Sequence, residues 1–231
     1  IQDEHVLEDK KTYVKTQGST GKGIAPCNRD KYARIGKRVC DKEFIDFFRP
    51  YFWDEVLDGN VLCEGAQGFW LDINYGNYPY VTSSNTLPYA ACSLGFAPQF
   101  IRHIYGATKI YDTRSGIDPL FPETLLEDEE LLSLVKVGEE FGTTTGRMRK
   151  TNWLNLDKLV NAVKISGTTI MLISKVDVVK KINIYKLYHN SSLINFENFD
   201  SMKTYIDKTL KNKDNCPLLE NITYSEKNEK I

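Results

Sequence analysis

Four polar segments of the 231-residue sequence combine side chains and backbone groups that suit phosphates, carboxylates or a nucleobase. The first segment, Gly18 to Pro26, contains three glycines together with Thr20 and Lys22. Exposed backbone N–H groups, a hydroxyl and an ammonium group can together hold a phosphate. A surface turn without a ligand is the alternative, because the segment lacks the P-loop spacing and no apolar strand precedes it.

The second segment starts at Glu64–Gly68, directly after a short apolar run, and continues through Leu71–Asn85. Small residues after a strand are typical of the ligand-binding edge of an open α/β sheet. Gln67 offers both a donor and an acceptor, so it can read the polar edge of a base. The hydroxyl and amide groups of Thr82–Asn85 suit phosphate oxygens. For the last two of these residues, a polar turn that caps the next helix is the favoured interpretation.

The third segment, Gly142–Lys150, places three threonines and two arginines in one loop that begins with a glycine. Arg147 and Arg149 are two residues apart, so in an extended segment both point to the same side. Each guanidinium can form a bidentate pair with an anion. The segment is therefore predicted to be a receptor for carboxylate or phosphate groups.

The fourth segment is Lys175-Val176-Asp177, which follows a predicted strand over Thr168–Ile173. The carboxylate of Asp177 can accept hydrogen bonds from N1–H and N2–H₂ of guanine. The aliphatic stem of Lys175 can lie across the plane of the base. The pattern Lys-x-Asp is short and common, so its position after a strand is what indicates a base-binding site.

The apolar pattern predicts the elements that must position these segments. Helices are predicted over Asp41–Leu57, Glu127–Val137, Leu156–Ile165 and Phe199–Leu210. Strands are predicted over Val61–Cys63, Arg102–Tyr111, Thr168–Ile173 and Lys180–Tyr188, with Ile1–Gln17 as a strand end or exposed arm and Tyr224–Lys230 as a solvated tail. The alternation of helix and strand predicts an α/β fold with a largely parallel central sheet, flanked by helices, in a single domain over residues 1–231.

Composition excludes several classes of protein. The formal net charge of -1 is too low for a dedicated nucleic-acid binder, so no nucleic-acid partner is expected. No apolar run approaches the roughly 20 residues that span a bilayer, so no membrane association is expected. The five cysteines form no CxxC pair and indicate free thiols in a reducing, cytoplasmic compartment. The three histidines lie far apart, and no metal site is predicted within the chain.

Together the four segments resemble the adenylosuccinate synthetase family. Its members join aspartate to IMP, driven by GTP, and form adenylosuccinate, GDP and phosphate. The resemblance runs from Gly18 to Asp177. Its most specific parts are Glu64–Gly68, Tyr78–Asn85, and Thr144–Arg147 with Arg149 and Trp153-Leu154. It implies a synthetase fold similar to that of the P-loop NTPases.

The resemblance also implies roles for individual residues. For IMP it implies contacts from Thr20, Gln67, Thr82 and Arg147, and from Arg34 across the interface of a homodimer. For aspartate it implies Thr143, Thr144, Thr145, Gly146, Arg147 and Arg149. For GTP it implies Arg149, Lys175, Val176 and Asp177. Gln67 would also support catalysis, through O6 of IMP.

Two parts of the family pattern have no evident counterpart in these 231 residues. The family's amino-terminal Gly-Asp-Glu-Gly-Lys-Gly segment carries the catalytic Asp, the catalytic His and the Mg²⁺ site. A Gly-Pro nucleotide motif is also not evident after Asn212. We therefore expect the chain to be the carboxy-terminal part of a synthetase, which by itself binds nucleotide weakly and forms no product.

Three alternatives remain open at this point. A viral branch of the family joins aspartate to dGMP instead of IMP. A non-catalytic nucleotide-binding paralogue that pairs with an active subunit would explain the absent catalytic residues. A generic P-loop kinase or GTPase rests only on Gly21-Lys22.

Overall fold

The computed structural model describes residues 1–52, 57–143 and 146–226, and the chain divides into two units, Ile1–Pro98 and Gln99–Ile231. The first unit contains helices α1 (Asp3–Lys11), α2 (Tyr13–Gln17), α3 (Ile24–Ala33) and α4 (Lys42–Phe48), and 3-10 turns at Arg49–Tyr51, Phe69–Leu71 and Pro88–Leu94. A further 3-10 turn lies at Pro98–Phe100. The organisation of residues 1–231 as a single domain stays a prediction.

The amino-terminal segment is helical, so the prediction of a strand end or exposed arm over Ile1–Gln17 is wrong. Helix α1 packs against α3, and the buried ring of His5 is 3.1 Å from Oδ2 of Asp30. The carboxylate of Asp9, also buried, accepts a hydrogen bond of 2.7 Å from the backbone N–H of Gly23. Long-range contacts of this kind, which a local pattern does not contain, hold the segment in place.

Two further predictions in the first unit need correction. The helix predicted over Asp41–Leu57 ends at Phe48, because Pro50 has no N–H to donate and lies in the 3-10 turn that follows. Residues 53–56 of the predicted helix lie outside the described residues. Val61–Cys63 forms no strand, and Leu62 is 85% exposed. The described part of this unit contains no strand with which such an apolar run could pair.

The second unit holds seven strands among its described residues. They are β1 (Tyr105–Lys109), β2 (Tyr111–Arg114), β3 (Lys150–Asn155), β4 (Ile170–Ser174), β5 (Lys186–His189), β6 (Ser192–Asn195) and β7 (Asn221–Tyr224). Its helices are α5 (Glu129–Gly138), α6 (Leu156–Ser166), α7 (Val176–Ile182) and α8 (Phe199–Leu210), with a 3-10 turn at Glu123–Leu126.

The strands form two sheets. In the first, β1, β4 and β7 are parallel, with β4 in the centre, and α6 and α8 lie on the connections between its strands. This arrangement confirms the predicted α/β class with a parallel sheet and flanking helices. The second sheet has the order β2-β3-β5-β6 and is mixed, since only the β3–β5 pair is parallel.

The amphipathic helices of the second unit follow the sequence pattern closely. In α6, the side chain of Asn155 accepts a hydrogen bond of 2.9 Å from the backbone N–H of Lys158, and Gly167 ends the helix with a positive φ of 70°. Such residues satisfy backbone groups that a helix terminus leaves unpaired. The apolar faces of α6 and α8 are buried in the core through Leu156, Leu159, Val163, Met202, Ile206 and Leu210.

Helix α5 and strand β4 each begin two residues later and end one residue later than predicted. Three other predictions in this unit need larger corrections. Strand β1 starts at Tyr105, and that side chain is 54% exposed, so the strand predicted from Arg102 is shorter and less buried. The strand predicted over Lys180–Tyr188 is the end of α7, a turn, and β5. Tyr224 is the last residue of β7, and residues 227–231 of the predicted tail lie outside the described part.

Candidate functional site

A cavity of about 410 Å³ lies beside the carboxyl ends of strands β4 and β7. It is lined by Ala107, Val137, Gly138, Glu139, Leu172, Ile173, Ser174, Lys175, Asp177, Val178, Lys181, Thr223 and Ser225. The carboxyl edge of a parallel sheet is where α/β proteins commonly bind ligands. The fourth predicted segment, Lys175 to Asp177, is therefore located at a cavity of a size suited to a small molecule.

Lys175 is fixed at the wall of this cavity. Its backbone has a positive φ of 64°, which is unfavourable for a residue with a side chain, and its Nζ donates a hydrogen bond of 3.0 Å to the carbonyl oxygen of Gly138. The side chain of Asp177 lines the same cavity and is 24% exposed. Val176, between the two, is completely buried in the core, and its backbone N–H donates to the carbonyl oxygen of Ser225 at 3.2 Å.

A buried carboxylate lies between the cavity and the third predicted segment. Glu140 is 1% exposed. Its Oε2 accepts hydrogen bonds from Nζ of Lys109 at 2.7 Å and from Nη1 of Arg149 at 2.8 Å, and its Oε1 accepts one from the hydroxyl of Tyr111 at 2.8 Å. We call these four residues the Glu140 cluster. A buried charge with this many donors is compensated, since hydrogen bonds replace the lost water.

The electrostatics of the Glu140 cluster keep its groups in defined protonation states. Burial raises the pKa of the Glu140 carboxyl, but the hydrogen bonds from Lys109, Arg149 and Tyr111 outweigh burial and hold the pKa below its usual value. Burial lowers the pKa of Lys109, although the hydrogen bond to Glu140 opposes that shift. Burial and the hydrogen bond to Glu140 both raise the pKa of Tyr111, so the Tyr111 hydroxyl remains a donor.

The third predicted segment forms a hairpin-like loop on this cluster. Phe141 and Met148 make an antiparallel bridge, and the backbone N–H of Arg149 donates to the carbonyl oxygen of Glu140 at 2.9 Å. At the tip, Thr143 is exposed and Gly146 has a positive φ of 62°. Thr144 and Thr145, two predicted aspartate-binding residues, lie outside the described residues.

The two arginines of this loop have different surroundings. Arg149 is bonded to Glu140, whereas Arg147 lines a second cavity of about 330 Å³. That cavity is also lined by Ser115, Gly116, Ile117, Glu123, Leu126, Met148 and Lys150. Lys150 is buried in its wall and paired with Glu123 at 2.9 Å. The loop therefore contributes cations to two places in the second unit, which suits a ligand with more than one anionic group.

The second predicted segment is folded around another buried carboxylate, in the first unit. Asp72 is completely buried and accepts hydrogen bonds from the backbone N–H groups of Asn74, Tyr75 and Thr86. The backbone N–H of Thr82 donates to the carbonyl oxygen of Leu71 at 2.8 Å. The hydroxyl-rich stretch Thr82–Asn85 is thereby held against the chain that follows Gln67.

The first and second predicted segments are joined by one side chain. The amide nitrogen of Asn28, on α3, donates to the hydroxyl oxygen of Ser83 at 2.9 Å and to its carbonyl oxygen at 3.1 Å. Gly23, at the end of the glycine-rich loop, begins α3 with a positive φ of 81°. This contact brings the loop that contains Thr20 and the stretch that contains Thr82 into one region of the first unit.

The predicted IMP-binding residues are distributed over both units. Thr20, Arg34 and Gln67 are exposed and Thr82 is half-buried in the first unit, while Arg147 belongs to the second. Arg34, at the end of α3, and Gln67 both have left-handed backbone conformations, with φ of 64° and 61°. Such conformations are unusual for residues other than glycine and are concentrated at functional sites.

Sequence reasoning missed the Glu140 cluster. Lys109 is the last residue of β1, and Glu140 lies two residues after the end of α5. Neither position shows in the sequence that the charge is buried or which groups it pairs with. Among the described residues, no group of three His, Cys, Asp or Glu side chains could hold a metal ion. Within the same residues, no helix is both long and apolar enough to cross a membrane.

Comparison with known proteins decides the family. Residues 42–206 match the sequence model of the adenylosuccinate synthetase family. The chain belongs to the adenylosuccinate synthetase family. The matched stretch contains Gln67, Thr82 and the segments from Gly142 to Asp177, whereas Thr20 and Arg34 precede it.

Adenylosuccinate synthetases from bacteria are similar in sequence. The enzyme of Clostridium botulinum (strain Alaska E43) is 37% identical, over 74% of this chain and 51% of the relative. That of Malacoplasma penetrans is 30% identical, over 94% of this chain and 60% of the relative. The chain spans about half the length of the curated relatives it matches.

Two solved structures share the fold. A fully ligated adenylosuccinate synthetase from Plasmodium falciparum has a TM-score of 0.68 at 26% identity, covering 85% of this chain and 59% of that protein. The succinoaminodeoxyadenylate synthetase of cyanophage S-2L, bound to dGMP and dATP, has a TM-score of 0.60 at 16% identity, covering 97% of this chain and 63% of that protein. At that identity the second comparison supports the fold alone.

Proposed function

We propose that this chain provides the guanine-nucleotide, aspartate and part of the IMP contacts of an adenylosuccinate synthetase. The observation that carries the proposal is the cavity at the carboxyl edge of the parallel sheet, where Lys175 and Asp177 lie together. Asp177 accepts hydrogen bonds from N1–H and N2–H₂ of guanine. The stem of Lys175, whose Nζ is held by the carbonyl oxygen of Gly138, lies against the face of the base.

The loop from Thr143 to Arg149 is the proposed receptor for aspartate. Its threonines supply hydroxyl donors, and its arginines supply two guanidinium groups for two carboxylates. The backbone N–H of Gly146 donates to the carbonyl oxygen of Gly142 at 2.7 Å and so shapes the tip of the loop. Arg149 is also proposed to approach the nucleotide. It is bonded to Glu140, and the two residues before Glu140 in the sequence, Gly138 and Glu139, line the nucleotide cavity. The main contribution of this loop to the reaction is to hold the two carboxylates of aspartate in a fixed orientation.

IMP is proposed to bind through Thr20 and Thr82, which contact its phosphate, and through Gln67, which contacts O6 of the base. The reaction transfers the γ-phosphoryl group of GTP to O6, and the aspartate amine then displaces phosphate from C6. Gln67 supports this chemistry by orienting O6 through its amide.

Two features of the proposal concern groups beyond a single chain. The described residues contain no cluster that fits Mg²⁺, so no step through the ion is assigned to this chain. From the resemblance we expect that site in a segment without a counterpart in these residues. Arg34, exposed at the end of α3, is proposed to reach the phosphate site of a second copy in a cytoplasmic homodimer.

Titration calorimetry with GDP and ADP tests the proposal. The chain is expected to bind GDP about tenfold or more tightly than ADP, because guanine offers Asp177 donors at N1 and N2, whereas adenine has an acceptor at N1 and only a hydrogen at C2. Equal affinity for the two nucleotides, or binding of neither, would contradict it. Product assays on a complete synthetase that contains this chain, with IMP, aspartate and GTP set beside dGMP, aspartate and ATP, then report which acceptor is used.

A further inference from the structure

The nucleotide cavity contains a second ammonium group that the proposed function does not use. Lys181 lines the cavity one helical turn after Asp177, and its Nζ lies 3.3 Å from Oδ2 of Asp177. The Lys181 side chain is 63% exposed, so a ligand can approach it. Among the described residues that line the cavity, Lys175 and Lys181 are the two cationic ones.

The two lysines are engaged differently. Nζ of Lys175 is bonded to the carbonyl oxygen of Gly138, on the wall that α5 provides. Lys181 is bonded instead to the carboxylate expected to recognise the base. An ammonium group has three protons, so one hydrogen bond to Asp177 leaves two donors available. A carboxylate has about four lone-pair positions and can keep Lys181 while it accepts further bonds.

We propose that Lys181 is a specificity-determining residue that donates a hydrogen bond to O6 of the guanine bound by Asp177. This inference rests on the proposed function, since it assumes that a guanine nucleotide occupies the cavity. Along one edge, guanine presents the acceptor O6 beside the donors N1–H and N2–H₂. Asp177 and Lys181 present an acceptor beside a donor, 3.3 Å apart, which is the complementary pattern.

The neighbouring residue provides a matched control. Lys180 has the same charge and also lies on α7, but its Nζ bonds to Glu226 and it does not line the cavity. Substitution of either lysine by methionine keeps most of the aliphatic stem and removes the ammonium group. Lys181→Met therefore removes the proposed donor to O6, whereas Lys180→Met removes a similar charge elsewhere on the same helix.

The experiment is calorimetric titration of wild type, K181M and K180M with GDP and with 6-thioguanosine 5′-diphosphate. The second nucleotide keeps the N1 and N2 donors and replaces O6 by sulfur, a weaker acceptor. Wild type and K180M are expected to prefer GDP by about tenfold, the effect of one hydrogen bond to a charged group. K181M is expected to lose about tenfold in GDP affinity and to bind the two nucleotides alike.

Further ligands separate the possible failures. Inosine 5′-diphosphate keeps O6 but lacks the 2-amino group, so K181M should retain the wild-type ratio between GDP and this nucleotide. A K181M variant with the wild-type preference for GDP over the thio analogue overturns the role of Lys181. A K181M variant whose affinity for GDP and for ADP falls by the same factor also overturns this role, because the loss is then a general effect of charge. If wild type does not distinguish GDP from ADP, the proposed function itself has failed.

Discussion

The buried carboxylate of Glu140 holds the guanidinium of Arg149 at 2.8 Å, and the same carboxylate oxygen holds Lys109 at 2.7 Å. Two residues before Glu140, the carbonyl oxygen of Gly138 fixes Lys175. The short stretch from Gly138 to Glu140 therefore connects the loop proposed to bind aspartate with the cavity proposed to bind the nucleotide.

Glu140→Gln should lower the free energy of unfolding by about 3 kcal/mol, because it leaves Lys109 and Arg149 without their buried counter-charge. Urea denaturation at pH 7 measures the loss. Glu139→Gln is the matched control, since Glu139 is the adjacent residue but is exposed, and it should change stability by less than about 0.5 kcal/mol. Equal stability of the wild type and the E140Q variant would show that the cluster contributes nothing to the fold.

The stabilisation by Glu140 should also depend on pH. Its folded-state pKa lies below the usual value, so the carboxylate contributes stability above the unfolded-state pKa of about 4.3. The contribution is lost as the pH falls through the lower, folded-state pKa. The stability difference between wild type and E140Q should therefore be constant near neutral pH and decrease below about pH 4. An unchanged difference at low pH would argue against an ionised Glu140.

Gly138→Ala should destabilise the second unit, because a Cβ at this position would lie 2.3 Å from the hydroxyl oxygen of Tyr111. Tyr111 is buried and bonded to Glu140, so it has little freedom to move. A loss of about 2 kcal/mol is expected from such overpacking. Gly65→Ala is the control, since no atom lies within 4 Å of a Cβ added there. Thermal unfolding measures both variants, and an equal decrease in Tm for G138A and G65A would contradict the close packing at Gly138.

Asp112 should make stability fall as the pH rises from about 4 to about 6. Burial raises its pKa to about 6, although a backbone hydrogen bond from Asn155 opposes the shift. In that pH range the folded protein keeps a proton that the unfolded chain has lost, so the free energy of unfolding decreases as the pH rises. The effect is at most about 3 kcal/mol. Asp112→Asn should remove this pH dependence. The free energy of unfolding of both proteins is measured by denaturant unfolding at a series of pH values, and an identical change with pH in the two would show that Asp112 is not its source.

Asp72→Asn should destabilise the polar loops of the first unit. The two oxygens of Asp72 accept from the N–H groups of Asn74, Tyr75 and Thr86, and an amide can present only one acceptor oxygen to these three donors. A loss of about 2 kcal/mol is expected. Asp58→Asn, at an exposed position that accepts one bond from Gly59, should have little effect. Hydrogen exchange at Thr86 should accelerate in D72N, and unchanged protection there would refute this account of the loop.

Local patterns in the sequence were sufficient for part of this structure. The helices α6 and α8 were predicted nearly to the residue, because their capping side chains and apolar faces are local features. The position of Lys175 and Asp177 after a strand also follows from a local pattern, since an apolar, β-rich run that ends in polar residues indicates the end of a buried strand.

The rest depends on distant partners. Val61–Cys63 has the composition of a buried strand but is exposed, since a local run does not say whether a neighbouring strand exists. The Glu140 cluster joins residues that are 31 and 9 positions apart, and no local pattern specifies such pairs. Lys181 was assigned to a strand, so its place on the same helix face as Asp177 was not foreseen.

The central claim is that Asp177 recognises guanine, and the most direct test is the base preference of Asp177→Asn. Asparagine can accept from N1–H and donate to the 2-oxo group of xanthine, whereas it loses the second acceptor needed for the 2-amino group of guanine. Calorimetry should show that wild type prefers GDP over xanthosine 5′-diphosphate by about tenfold or more, and that D177N reverses this order. Asp200→Asn, at the corresponding turn of α8, should behave as wild type. A D177N variant that still prefers GDP as strongly as wild type would contradict the account.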